Sequence, residues 1–368
     1  MNLPPFKLER YFARYEFNVE YLLCASDCQS FTVQELLSLE PDAAARFGEH
    51  WLGYTESPGS PSLRQEIAGI YTGISPEQIL VHSGAEEAIF LLMHAILGPG
   101  DHAIVHFPCY QSLIEVARGT GCDVSPWTAH EGDAWALDLD ELERLIRPET
   151  RLIVVNFPHN PTGYLMPDDK YRRLNGIAQE RGITLFSDEV YREAEYNSAD
   201  RLQSACEINP TAISLGVMSK TYGLPGLRIG WVATRDVTLL AKMAALKDYT
   251  TICNSAPSEF LAELALRHRP ALVERNLEII ARNLSILDSF FERHADRFVW
   301  HRPKAGPIAF PRLLDGDIEA FCHDLVTTSG VLLLPGTVYE DTGNHFRIGF
   351  GRANLPEAVA RLEEYLDR

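Results

Sequence analysis

The sequence predicts an α/β fold: a large, mostly parallel sheet covered by helices, plus a smaller α+β domain. Three observations predict it. Between about residues 79 and 233, short apolar runs alternate with amphipathic stretches, the pattern of strands buried on both faces. The unusual polar residues Tyr110, Asn160, Asp188 and Lys220 fall at or just after the ends of such runs, where ligands collect in parallel sheets. From about residue 260 the rhythm changes to long helices with short strands between them. We expect residues 41–256 to form the large domain and 257–368 the small one, with the segment 1–40 joining the small domain.

Composition fits this class. The 368 residues are 46% hydrophobic and 23% charged, enough to bury a large core without disulfides or metal staples. A net charge of −18 argues against nucleic-acid or anionic-membrane partners. The seven cysteines are odd in number, irregularly spaced and contain no C-x-x-C, so reduced thiols, no metal site and a cytoplasmic protein are expected. Pro4, Pro5, Lys7, Glu9 and Arg10 interrupt any signal-peptide core. The longest apolar run, Ala88 to Leu97, is ten residues and too short to span a bilayer.

The elements are read in order. Leu8 to Tyr21 has the spacing of a short amphipathic helix. Thr32 opens a helix with Glu35 three residues on, a capping box. Tyr54 to Arg64 is a loop that runs into a helix, with Pro58-Gly59 at its turn. Ile79 to His82 reads as a strand. Ser83-Gly84-Ala85-Glu86 then opens an apolar helix, again as S-x-x-E, and such a junction offers free N–H groups to an anion. Further strands are expected at Ala103 to Phe107, Leu152 to Phe157, Ile183 to Asp188, Ala212 to Met218 and Ile229 to Ala233. Helices are expected at 139–146 and 171–181. Beyond lie a helical stretch 257–294 broken near Arg269-Pro270, strands at 307–310, 331–334 and 346–350, and helices at 317–328 and 357–366.

The chemistry concentrates in Ser219-Lys220-Thr221-Tyr222-Gly223-Leu224-Pro225-Gly226-Leu227-Arg228. A lysine follows an apolar strand, small residues let a ligand approach the backbone, and an arginine eight residues on suits a phosphate. That points to a Schiff-base lysine holding pyridoxal phosphate (PLP). Asp188 ends a buried strand and could keep the pyridine nitrogen protonated. Asn160 and Tyr191 could donate to the cofactor's phenolate oxygen. Alone, each would be an ordinary core or turn residue.

The combination Asn160-Pro161-Thr162-Gly163, Ser187-Asp188-Glu189-Val190-Tyr191 and Ser219-Lys220 with Arg228 resembles the class I/II aminotransferases, the fold-type I PLP enzymes. The order and the spacings of 28, 32 and 8 residues fit along nearly the whole chain. The resemblance implies Lys220 as the covalent cofactor lysine and proton shuttle, Asp188 as the pyridinium partner, and Asn160 and Tyr191 as the phenolate donors. It also implies Tyr110 stacked on the cofactor ring, and Gly84, Ala85, Ser219 and Arg228 as the phosphate cup. Arg347 in Phe-Arg-Ile-Gly-Phe would bind the substrate α-carboxylate, with Asn160 beside it. Tyr54 would reach the phosphate of a neighbouring subunit, which implies a homodimer with shared active sites and a small amino acid as substrate.

Pro108-Cys109-Tyr110-Gln111-Ser112-Leu113, Asn156-Phe157-Pro158-His159-Asn160-Pro161 and Tyr222-Gly223-Leu224-Pro225-Gly226-Leu227-Arg228 more closely resemble the capreomycidine synthase-like branch. So does Phe31-Thr32-Val33-Gln34-Glu35-Leu36. That resemblance implies elimination of water from a hydroxylated arginine and ring closure by its guanidine. Asp27-Cys28 stands where aminotransferases usually carry a glycine-containing segment, and Glu9 and Asp27 are acidic candidates for a guanidinium. Transamination, elimination with cyclisation, and a PLP-sensing regulator therefore remain as readings. The third is disfavoured because the aminotransferase-like pattern starts almost at residue 1 and the chain is acidic.

Overall fold

The computed structural model describes residues 3–368. Seven strands form the large sheet in the order Ile79–His82, Gly230–Thr234, Ile213–Val217, Thr184–Asp188, Thr150–Asn156, His102–Phe107 and Asp123–Thr128. Six of them point the same way; Gly230–Thr234 alone is reversed, antiparallel to both its neighbours. The strand pleat sends alternate side chains to opposite faces. Ile153 and Val155 pack with Tyr171 and Leu174 of the helix Asp168–Arg181. Leu152 and Val154 pack with Leu92 and Leu113, from the helices Ala85–Ile96 and Gln111–Gly119. Each such fully buried aliphatic side chain stabilises the fold by about 1.5–3 kcal/mol.

Several expectations need adjustment. The strand Asp123–Thr128 was not foreseen because Pro126 interrupts its pattern. It lies at the sheet edge with one neighbour, where a missing N–H donor is tolerated. The first helix ends at Tyr15, short of the expected Tyr21, because Tyr21–Leu22 pairs in parallel with Val331–Leu332 instead. The expected strand 331–334 is two short strands in different sheets. The capping box at Thr32 and Glu35 is formed. The one expected at Ser83 and Glu86 is displaced by a residue. Gly84, at φ 84°, takes the N-cap, and Glu87 rather than Glu86 accepts from the Ser83 N–H at 2.6 Å. That frees Glu86 for another use.

The smaller region contains a three-stranded antiparallel sheet in which Phe346–Gly349 lies between Ile308–Ala309 and Leu334–Pro335. The 25-residue helix Arg269–Arg293 packs over it through Leu284 and Leu287. The helix Ala256–Arg267 instead packs with the edge strand Ile79–His82 of the large sheet and its neighbour, sharing a core with Val81 and Trp231. Leu23 to Gln29 runs along this smaller region as a strap. Gly349 N–H donates to the Leu23 carbonyl (2.9 Å), and Gln29 N–H donates to the Gly351 carbonyl (2.8 Å). Gly349 lies so close that any Cβ there would collide with the Ala25 carbonyl.

Among the described residues, no helix is long and apolar enough to cross a membrane, and no group of three His, Cys, Asp or Glu is spaced to hold a metal ion.

Candidate active site

A cavity of about 390 Å³ opens at the carboxyl ends of the large sheet's central strands. Asn156, Asp188 and Val217 close its floor, each the last residue of its strand. Asn156 ties the floor together: its Nδ2 donates to the Asp188 carbonyl (2.9 Å), and its Oδ1 accepts from the Asn160 N–H (2.7 Å). Asp188 is only 5% exposed, and its Oδ1 accepts from the Val190 N–H at 3.2 Å. Burial pushes its carboxyl up to about 7, against the pull of that N–H and of Lys220.

Lys220 follows the strand Ile213–Val217 and lines the same cavity. Burial pushes its ammonium down from the usual lysine range; Asp27 opposes this and Arg347 adds to it. Its Nζ donates to Ser26 Oγ at 2.8 Å. Tyr191 lines the cavity, 1% exposed, and its hydroxyl has no partner.

Arg347, also 1% exposed, reaches the cavity from the small sheet. Its Nε donates to the Cys24 carbonyl (3.0 Å), and its Nη1 to Tyr339 Oη (2.5 Å) and Asn160 Oδ1 (3.2 Å). Tyr339 Oη also donates to Asn160 Oδ1 at 3.1 Å. Nη2 has no partner. A buried guanidinium nitrogen left unpaired is costly, so it marks a place for an acceptor. Asn160 spends its oxygen on this network and keeps its amide hydrogens to donate.

At the far end Arg228 faces Gly84. A Cβ on Gly84 would sit 2.6 Å from Arg228 Nη2, and one on Gly230 would sit 2.8 Å from the Ala85 N. The helix that starts at Ala85 directs its first N–H groups and positive dipole end here. Ser219 and Ala85 line the cavity beside them. Glycines cleared to backbone, a guanidinium and a helix N-terminus form an anion cradle.

The opposite wall is the helix Lys7–Tyr15 and its C-cap. Glu9, Phe12 and Glu16 lie on one helical face and line the cavity. Glu86, released from the expected cap, lines it too and accepts from Ser112 Oγ. Asp27 is engaged by Arg352 Nη2 at 3.0 and 3.1 Å. Glu9, Glu16 and Glu86 have no cation within 4 Å among the described residues. Burial pushes Glu16 and Glu86 up, and Glu9 adds to both.

Of the residues singled out from sequence, Tyr110, Ala85, Asn160, Asp188, Tyr191, Ser219, Lys220, Arg228, Arg347, Glu9 and Asp27 line this one cavity, and Gly84 sits at its cradle. Tyr54 does not: it is 85% exposed and lines no part of the cavity. Sequence reasoning missed Ser26, Asn156, Tyr339, Glu16, Glu86 and Arg352. Only Asn156 carried a signal, as the polar residue ending an apolar run.

A deep site at the strand ends, between a large mixed sheet and a smaller domain, is the architecture of the fold-type I PLP enzymes. The chain belongs to the aminotransferase class I and II family, whose model matches residues 20–362. It is 29% identical over 371 residues to capreomycidine synthase from Streptomyces vinaceus, covering 99% of this chain and 94% of that one. It is 27% identical over 343 residues to an aspartate aminotransferase from Sulfurisphaera tokodaii, covering 87% and 84%. A solved PLP-dependent aminotransferase from Streptococcus suis superposes with a TM-score of 0.94 at 34% identity, covering 100% of this chain and 99% of that one. The PLP-dependent cyclase OrfR superposes with a TM-score of 0.89 at 30% identity, covering 98% and 97%.

Proposed function

We propose that this chain binds PLP in the cavity and uses it to transaminate an α-amino acid. The observation that carries the reading is the set of groups gathered around one cavity: a buried amine held only by Ser26, an unpaired phenol, an unpaired guanidinium nitrogen and an anion cradle. When bound, PLP supplies an aldehyde for the amine and an electron sink for bond breaking at the substrate Cα.

The chain's own residues divide the remaining work. Lys220 Nζ would hold the cofactor and, once displaced, would take a proton from the substrate Cα and deliver it to the cofactor carbon that carried the aldehyde. Asp188, buried and raised in the free chain, ionises fully when a protonated ring nitrogen faces it. The Asn160 amide and Tyr191 hydroxyl donate to the cofactor's phenolate oxygen. Tyr110 covers its ring. Gly84, Ala85, Ser219 and Arg228 hold its phosphate, with Tyr54 of a second copy reaching the same group in a homodimer. Arg347 Nη2 binds the substrate carboxylate, with Tyr339 and Asn160 keeping the guanidinium in place.

A second reading is elimination with ring closure on a hydroxylated arginine. Glu9, Glu16 and Glu86 favour it, because three carboxylates with no cation within 4 Å line the cavity that Arg347 also lines, and they suit a cationic side chain. The likeness to capreomycidine synthase and OrfR supports it as well. A single turnover of the holoenzyme with a panel of amino acids and hydroxyarginines separates the two. Transamination gives a 2-oxo acid and pyridoxamine phosphate. The second reading gives a dehydrated or cyclic product with the cofactor still an aldehyde.

A further inference from the structure

We propose that Ser26 is the positioning residue for the free Lys220 amine, holding it by a neutral hydrogen bond whenever the amine is released from the cofactor. This rests on the reading of Lys220 as the cofactor lysine and proton shuttle. The geometry is specific. Lys220 Nζ donates to Ser26 Oγ at 2.8 Å, and no other hydrogen bond from that amine is formed among the described residues. The partner comes from 194 residues away in the chain, so local backbone geometry does not produce the contact.

Ser26 sits at the centre of the strap, and the strap is tied on every side. The Cys24 carbonyl accepts from Arg347 Nε, Asp27 is held by Arg352, and Cys28 N–H donates to the Lys220 carbonyl at 3.4 Å. The collision waiting at Gly349 fixes Ala25. The hydroxyl is therefore delivered to the amine by a segment that also holds the Arg347 guanidinium.

The chemical reason is the charge of the acceptor. To condense with an aldehyde, the Nζ lone pair attacks the carbonyl carbon and water leaves. To act at Cα, the same lone pair takes the proton while the C–H electron pair stays on carbon. Both steps need the neutral amine. A carboxylate in contact would orient the amine but favour the ammonium. A hydroxyl orients it without adding charge. Asp27, one residue along, is turned to Arg352. The other charged groups that act on Nζ are Arg347, Asp188 and Arg228, and Glu16 across the cavity also feels its charge. Ser26 also lies by Tyr191, whose phenol is pushed well up by burial, with Arg347 opposing.

The test uses the full chain stripped of cofactor, with pyridoxal phosphate as the probe and borohydride trapping or absorbance as the readout. The rate of covalent capture against pH reports the neutral amine directly and needs no substrate. Ser26→Ala is expected to slow capture about tenfold, the worth of one neutral hydrogen bond. Ser26→Thr keeps the hydroxyl and restores the rate. Ser26→Asp is expected to move the midpoint of the capture profile up by about 1–3 pH units. In the reloaded enzyme, Ser26→Ala should slow exchange of the substrate Cα proton with deuterated water while leaving KM within about twofold, a kcat effect. An unchanged capture rate in Ser26→Ala, or an unmoved midpoint in Ser26→Asp, overturns the proposal. Trapping that persists in Lys220→Ala overturns the reading beneath it, so the two failures are distinguishable. If Ser26→Ala folds poorly, Ser26→Cys keeps the size with a weaker hydrogen-bonding group and is expected to fall between the two; wild-type capture in that variant counts against the proposal.

Discussion

One wall of the cavity grows from strand ends; the opposite wall is a nine-residue helix with its C-cap. The strand-end wall carries Asp188, Asn160 and Asn156, all under 10% exposed, with the Asn156 side chain hydrogen-bonded to the backbone of the other two. The helical wall carries Glu9 and Glu16, which reach the cavity from an exposed and a half-buried position. Groups set in a sheet cannot move without breaking ladder bonds, so that wall suits chemistry that demands fixed geometry. Groups on an appended helix can be exchanged at little cost to the core, so that wall suits choice of substrate.

The sharpest test of the contrast is Lys220→Ala. It is expected to abolish borohydride-trapped cofactor and reduce turnover by roughly three orders of magnitude or more. Trapping measured by mass spectrometry checks this, and comparable loss from any helix-wall variant would erase the distinction.

Asp188→Asn should come next. In the cofactor-free chain a carboxyl whose folded pKa of about 7 lies above its unfolded value holds its proton more tightly when folded. Wild-type stability from this group therefore falls as pH rises from about 4 to about 7 and is level above. The variant lacks that fall. Its advantage in denaturant titrations should grow across this window to on the order of 2–4 kcal/mol. In the holoenzyme the same variant should lose Cα proton exchange. An advantage that is flat with pH would break the assignment.

Glu9→Gln with Glu16→Gln should act on selectivity alone. KM for amino acids with cationic side chains is expected to rise about tenfold, with neutral amino acids and cofactor trapping unchanged. Steady-state comparison across side chains reads this directly; equal losses for neutral and cationic substrates would place the helix wall in the chemistry. Tyr339→Phe, which removes one hydroxyl between Arg347 and Asn160, should raise KM for every amino acid by a smaller factor of about five. The smallest effect falls on Tyr54→Phe, a loss of about twofold to tenfold in PLP affinity. In mixtures, the Tyr54→Phe chain and the Lys220→Ala chain should restore activity above their sum if two copies share a site.

Much of the strand-end wall was legible because local sequence dictates it. An apolar run ending in a polar residue announces a buried strand that presents that residue at its end, as Asp188 shows, and the turn after such a run carries Asn160. The opposite wall was legible only in Glu9 and Asp27. Ser26 meets Lys220 across 194 residues and Tyr339 meets Asn160 across 179, and no periodicity encodes such meetings. Glu86 was read as a helix cap because its spacing from Ser83 fits one. Gly84 took the cap through its positive φ and turned Glu86 into the cavity. The strand with Pro126 was hidden for a like reason: the rule against proline holds in sheet interiors and lapses at an edge.

Gly349 gives the strap a genetic meaning. A Cβ there would meet the Ala25 carbonyl, two residues from Arg347 on the small-sheet strand and one residue from Ser26 on the strap. A single added methyl group at that position would push the two strands apart and disturb the lysine's partner and the arginine's partner together. Variation that redirects this enzyme therefore has an open route through the first helix and a closed one through this glycine, where one codon change would strike two functions at once.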